Sequence, residues 1–299
     1  MKAFVDWMLA QRVRPIILAV VTAPLLQLVA GISGALIALE TVRRDFAGGV
    51  ICGLGTLGGL LAIAALVGAD MDVFATIGSI CAVSGVGIGL LIRRTGNLVL
   101  AYQIVMLVAM GVIAAIDLLG FDVHSFFAPS VQEVVALLRT NDASPEEIMF
   151  VEEWGAALAL ATAVFSQAVG ALLLAYWWSL IAARQRRFGQ EFRRLALGRV
   201  LGAIATVVIA LALATGLGLV SKVELVQNLM PLALLGFLLQ GVAVVHAWAH
   251  AKRWPPGLVA PLYVLLLMPA VNVLVVVPLS VVGVVDNWFD LRALIRPQA

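Results

Sequence analysis

Eight stretches of this chain contain no Asp, Glu, Lys or Arg: 15–39, 46–69, 73–92, 95–116, 154–183, 200–221, 225–251 and 254–285. Each is at least 20 residues long, and a helix needs about 20 apolar residues to cross the hydrocarbon core of a bilayer. Backbone N–H and C=O groups in lipid must be paired within the structure, so windows of this length can only be helices. The period-two alternation of a membrane β-barrel is absent. Charged residues make up 12% of the 299, against about 25% in a soluble domain. That excludes a water-soluble globule, and the apolar content excludes polar disorder. The expected fold class is all-α: a polytopic transmembrane bundle of about eight to ten helices, with nine the best fit, forming a single membrane domain over 1–299.

The connections between windows set the orientation. Arg43 and Arg44 follow the first window, Asp70 and Asp72 the second, and Arg93 and Arg94 the third. The long segment 117–153 is acidic, and 184–199 is the most basic, with Arg184, Arg186, Arg187, Arg193, Arg194 and Arg199. Lys222 and Glu224 cancel, and Lys252 with Arg253 closes the series. Basic and non-basic loops alternate without a break. The positive-inside rule therefore places 184–199 in the cytoplasm and 117–153 outside, in a bacterial cytoplasmic membrane. Net charge is +2, with no footprint for nucleic acid. The N-terminal stretch reads as a retained segment rather than a cleavable signal, because its apolar run is too long and follows Arg12 and Arg14.

Lys2, Arg12 and Arg14 conflict with a single crossing by the first window, which would put them outside. Residues 7–45 would span roughly 58 Å as helix, and Pro24, Gly31 and Gly34 offer break points. A helix through about Leu28 and a short second one from about Val29 to Phe46 keep the N-terminus with the other basic turns. The 254–285 window, with Pro261, Pro269 and Pro278, reads as one kinked span or two short ones.

The outer loop is partly helical. Ser130 and Glu133 read as a capping box ahead of a short surface helix over 129–140. Ser144, Pro145, Glu146 and Glu147 form a helix start, with cap, first-turn proline and acids on the positive end of the dipole. One long helix is expected from Pro145 to about Arg187.

Most motifs read as packing. Gly53-Leu-Gly-Thr-Leu-Gly58 spells the dinucleotide fingerprint but follows no strand and lies inside a span. The glycines nearby, Gly48, Gly49, Gly53, Gly58 and Gly59 on one helix and Gly78, Gly85 and Gly89 on the next, suit close helix approach instead. Cys52 and Cys81 form neither a Cys-x-x-Cys pair nor a zinc spacing. His246 and His250 share a helix face at a spacing that can hold a metal, but no third ligand accompanies them, so no metal and no cofactor is expected. No nucleophile–base–acid set shares one side of the membrane, and the chain is not expected to be an enzyme. Intramembrane polar residues are functional candidates by default. Here they are Glu40, Gln103, Gln167, Gln240 and Asn272, proposed to line a ligand cavity.

A resemblance enters at two segments. Trp177-Trp178, Phe188-Gly-Gln-Glu-Phe-Arg193 and Leu195-x-Leu197-Gly198-Arg199 look like the central basic loop of the YybS-like family of bacterial membrane proteins. Gly283-Val-Val-Asp286-Asn-Trp288-Phe-Asp290-Leu-Arg292 resembles that family's closing motif. An amphipathic start followed by two short apolar helices is also similar. The chain departs from the family where Gln185-Arg186-Arg187 stands in place of an Asn-Pro-Gly-Gly turn, and at Leu291. The family is distantly similar to the substrate-capture subunits of energy-coupling-factor transporters, which dock a partner subunit through an alanine-rich first helix. That similarity implies a docking role for Ala19 and Ala23.

On a helix, Asp286 and Asp290 would share a face while Arg292 faces elsewhere. The two carboxylates would then be free to latch onto arginines of the 184–199 loop. Two functional expectations follow. One is a transporter-like protein holding a small or lipid-like molecule among its helices. The other is a structural or assembly factor whose basic loop grips anionic membrane lipid or a partner protein.

Overall fold

A computed structural model describes residues 1–24, 30–267 and 272–295. The regular structure of the described residues is all helical, without strands. Among them, six helices are long and apolar enough to cross a membrane: Phe46–Val67, Met71–Thr95, Leu98–Leu118, Pro145–Ala182, Gly198–Gly216 and Glu224–Ala251. Large apolar side chains such as Leu54, Val83, Val108 and Leu213 stand exposed on their surfaces. Helices that present apolar residues outward belong in lipid, and the chain is an integral membrane protein.

The chain forms two compact units, Met1–Met106 with Ala163–Leu195, and Leu107–Thr162 with Ala196–Ala299. The first opens with α1 (Lys2–Leu9), an amphipathic helix that buries Val5 and Met8 and exposes Phe4 and Trp7. Arg14 follows it, lies 4.8 Å over the Trp7 ring and bonds the Trp7 carbonyl at 2.7 Å. Next come α2 (Val13–Thr22) and α3 (Ala30–Arg43). Arg12, just before α2, lines a cleft with Glu40 near the end of α3. At the opposite ends, Ser33 bonds the Ala19 carbonyl at 3.0 Å and the Thr22 hydroxyl at 2.8 Å. The two helices are therefore antiparallel. The ten residues of α2 reach only about 15 Å, half the hydrocarbon core. The α2 helix ends at Thr22, short of the expected Leu28, which lies outside the described residues.

Around α3 pack α4 (Phe46–Val67), α5 (Met71–Thr95) and α9 (Ala171–Ala182). Glycine makes these approaches possible. A Cβ at Gly85 would lie 2.8 Å from the Gly34 carbonyl oxygen, and one at Gly89 would lie 2.7 Å from that of Ala38. On α4, a Cβ at Gly53 would lie 2.9 Å from that of Ala82, so the seams serve packing, except at Gly58, which faces open space. Ala23, Ile37, Cys52, Leu60 and Cys81 form a buried cluster, and both cysteines are free.

The second unit holds most of α6 (Leu98–Leu118), then α7 (Val123–Thr140) and most of α8 (Pro145–Phe165). The α7 helix begins before the expected 129–140. Asp122 caps it by accepting the Ser125 N–H at 2.9 Å, so Ser130 lies inside the helix, one residue after Pro129. The Ser144 box does form. The Glu147 N–H donates to Ser144 Oγ at 3.2 Å, and the Ser144 N–H donates to Glu147 Oε2 at 2.8 Å. The long helix stops at Ala182 rather than Arg187 and contains a π-helical turn at Ser166–Gly170.

The tightest pair in this unit is α12 (Glu224–Ala251) with α14 (Asn272–Phe289), flanked by α11 (Gly198–Gly216). A Cβ at Gly241 would collide with the Leu279 carbonyl, and one at Gly283 with that of Phe237. These residues are four apart on each helix, so two glycines let the backbones meet at successive turns. From 254 onward come α13 (Ala260–Leu267) and α14; Pro269 lies outside the described residues.

Candidate functional site

The basic segment after Ala182 is an anchored cap. Its middle forms α10 (Phe188–Phe192), seated through Phe188 on Trp177, with ring centroids 6.2 Å apart, while Phe188 and Phe192 stack within the helix at 6.0 Å. The anchor is Glu191. Its Oε2 accepts the Leu98 N–H at 3.0 Å and the Tyr176 hydroxyl at 2.6 Å, and its Oε1 pairs with Arg187 Nε at 3.2 Å. Leu98 opens α6, whose first N–H groups have no partner within the helix. A carboxylate suits that end of the dipole, so Glu191 caps a helix 93 residues earlier in the chain. The α5–α6 turn contributes Gly96, left-handed at φ 54°, whose carbonyl accepts from Arg187 at 3.3 Å. Arg93 in turn donates to the Thr41 carbonyl at 3.1 Å. The arginine-bearing turns of this unit thus meet at one end.

With Glu191 occupied by Arg187, Arg184, Arg186 and Arg194 are exposed. Arg193 is half-buried, and desolvation followed by repulsion from Arg194 lowers its pKa. Arg184 holds a left-handed φ of 58°, turning the chain out of the long helix. Arg199 lies exposed at the start of α11, in the second unit.

The C-terminal motif builds a separate structure in that unit. Asp286 is 5% exposed. Arg292 grips it with Nη2 to Oδ2 at 2.6 Å and Nε to Oδ1 at 3.2 Å, and Gln240 Nε2 donates to Oδ2 at 2.8 Å. Gln240, fully buried, accepts the Leu197 N–H at 2.9 Å. Asn287 donates to the Gly198 carbonyl at 3.3 Å, and Trp288 Nε1 to Thr206 at 3.3 Å. The helical-face expectation fails here. The α14 helix ends at Phe289, Asp290 takes a left-handed φ of 44°, and the 3₁₀ turn Leu291–Ile295 carries Arg292 back over Asp286. Asp286 therefore holds Arg292 and Gln240, and Gln240 links it to the Leu197 backbone of the basic segment.

The intramembrane polar set disperses. Gln167, in the π turn, donates to Ser84 at 2.7 Å, Gln240 belongs to the Asp286 network, and Gln103 sits half-buried on α6. The side chain of Asn272 lies outside the described residues. Glu40 is 2% exposed and pairs through Oε2 with Arg44 Nε at 2.7 Å, while its buried Oε1 has no hydrogen-bond partner among the described residues. Ala19 and Ala23, at 0% and 1% exposure, lie inside the first unit rather than on a docking surface. His246 Nε2 meets the Tyr263 hydroxyl at 2.6 Å. Among the described residues, no three His, Cys, Asp or Glu form a group able to hold a metal.

Comparison with protein-family models, curated proteins and solved structures finds no match. Sequence reasoning quoted Glu191 within a motif but missed it as the anchor. A lone acid amid six arginines was the available signal. Nothing in the sequence pointed to Tyr176, Gly96 or the Leu98 N–H.

Proposed function

We propose that this integral membrane protein is a non-catalytic, lipid-binding scaffold of the bacterial cytoplasmic membrane, related to the YybS-like proteins it resembles. Its anchored arginine segment holds anionic phospholipid headgroups at the cytoplasmic surface. The Glu191 anchor carries this reading. It absorbs one arginine, fixes the segment to two helices, and leaves Arg184, Arg186 and Arg194 exposed. A guanidinium fork matches a phosphate, and each arginine near an anionic surface contributes about 1 kcal/mol. Changing all three to Gln should lower retention of anionic lipid on the order of a hundredfold, read by native mass spectrometry of protein extracted with its lipids. Unchanged retention overturns the proposal.

A transporter-like reading draws on one observation, the π turn at Ser166–Gly170, because such turns recur at functional sites. Under that reading, Gln167→Leu would abolish retention of a small molecule that co-purifies with the wild-type protein.

A further inference from the structure

The first helix has a wider apolar face than the protein covers. At about 3.6 residues per turn, Trp7, Phe4, Met8 and Val5 of α1 fall side by side on one arc, and Lys2 and Asp6 fall on the opposite one. Val5 and Met8, both at 0% exposure, pack inward where α1 meets α9. Phe4 and Trp7 are left 42% and 47% exposed, stacked on each other with ring centroids 6.1 Å apart. Half of the apolar arc is thus without a partner in the chain.

Its position says what covers it. Arg14 lies over the Trp7 ring and bonds the Trp7 carbonyl, which folds α1 back against the first turn of α2. The exposed residues of α2 are Val13, Ile17 and Val21, one per turn on a single face, and such a face in a membrane helix looks into lipid. The two rings continue that lipid-facing stripe. They do so at the end of the unit where Arg12 approaches Glu40 and the arginine-bearing turns gather, so the stripe runs out of the hydrocarbon into the headgroup layer. Charge agrees, since Lys2, Arg12 and Arg14 stand against Asp6 alone, and tryptophan beside cations suits an anionic membrane surface. A protein partner fits less well. Two aromatic side chains bury about 150–250 Å² each, against roughly 1,200 Å² for a stable protein interface.

We propose that α1 is a membrane-surface helix embedded in the headgroup layer on the arginine-rich side, with Phe4 and Trp7 at the edge of the acyl chains and Lys2 and Arg12 on anionic phosphates. Lys2 reaches them along its flexible stem, and Asp6 faces water. The proposal uses none of the arginines of the 184–194 cap.

The full chain carries a nitroxide at Phe4→Cys or at Asp6→Cys, both exposed positions, in nanodiscs of equal parts phosphatidylglycerol and phosphatidylcholine. The unsubstituted chain, whose two cysteines are buried, is the labelling blank. Power-saturation electron paramagnetic resonance compares collisions with oxygen, which concentrates in lipid, and with a water-soluble nickel chelate. Position 4 should favour oxygen several-fold, as Ile17→Cys on the lipid face of α2 should, and position 6 should favour nickel. A preference for nickel at both positions means water, and exclusion of both reagents from position 4 means a protein cover; either overturns the proposal. Replacing phosphatidylglycerol with phosphatidylcholine should move position 4 towards nickel, and Lys2→Gln with Arg12→Gln should remove that dependence. A position-4 signal indifferent to phosphatidylglycerol without those substitutions overturns the anionic assignment. Changing Arg184, Arg186 and Arg194 to Gln should leave position 4 unmoved, so failure of the cap reading and failure of this one are told apart.

Discussion

Glu40 in the first unit and Asp286 in the second are both buried carboxylates, and each pairs with an arginine a few residues further along the chain. Asp286 uses both oxygens, against two nitrogens of Arg292 and the amide of Gln240. Glu40 uses one oxygen and leaves the other buried and bare. The first arrangement is closed and can only hold protein together. The second leaves one oxygen without a donor among the described residues. A buried charge is tolerated only when its lone pairs are answered, so the fully answered carboxylate is the one expected to hold the fold together.

That contrast can be broken in several ways. The largest effect is expected from Arg292→Ala, which strands Asp286 without its counter-charge. Such losses cost about 3–5 kcal/mol and should appear as a lowered unfolding temperature in detergent. Pairing Asp286→Leu with Arg292→Met should recover most of it, since an apolar pair of similar volume replaces a buried ion pair at little cost. Gly283→Leu should come next, at about 1–3 kcal/mol or more, because the new side chain meets the Phe237 backbone; the same melting experiment reads it.

Glu191→Gln should cost about 1–2 kcal/mol, weakening charge-assisted bonds to the Leu98 N–H and Tyr176. Its clearer signature is protease cleavage within 184–194. Glu40→Gln should change folding stability by less than about 1 kcal/mol, since its ion pair with a half-exposed Arg44 is of the weak kind. If it destabilises as much as Arg292→Ala, Glu40 is structural cement and the contrast fails.

The smallest effect concerns pH. Hydrogen bonds from Ser125 hold the Asp122 carboxyl below its ordinary value. A group with a depressed folded-state pKa stabilises above its unfolded pKa and loses that contribution as pH falls through the folded one. Amide protection at Ser125 should therefore stay level through neutral pH and fall only in acid, below the ordinary carboxylate range.

Legibility in the sequence followed physical range. The Ser144–Glu147 box was readable because its bonds close within four residues. The glycine seams were readable because small residues in lipid have one main use. The start of α7 was misplaced because two local capping signals compete, and Asp122 precedes Ser130 in the structure. The course of Arg292 was misread because a single left-handed residue, Asp290, ended the helix and reversed the chain. No sequence rule forecasts φ > 0 at an aspartate without the contact that holds it.

By itself the sequence determined the solvent, the secondary structure and the spacing of the basic turns. Each depends on the free energy of moving residues into lipid or on bonds within one helical turn, and both are sums over neighbours in the chain. Only the tertiary structure decided which carboxylates are answered. Glu191 finds its donor 93 residues away, and Gln240 finds Asp286 46 residues away. Glu40 finds no donor for Oε1 among the described residues. A hydrogen bond acts over about 3 Å, so its partner is known only once the helices have packed.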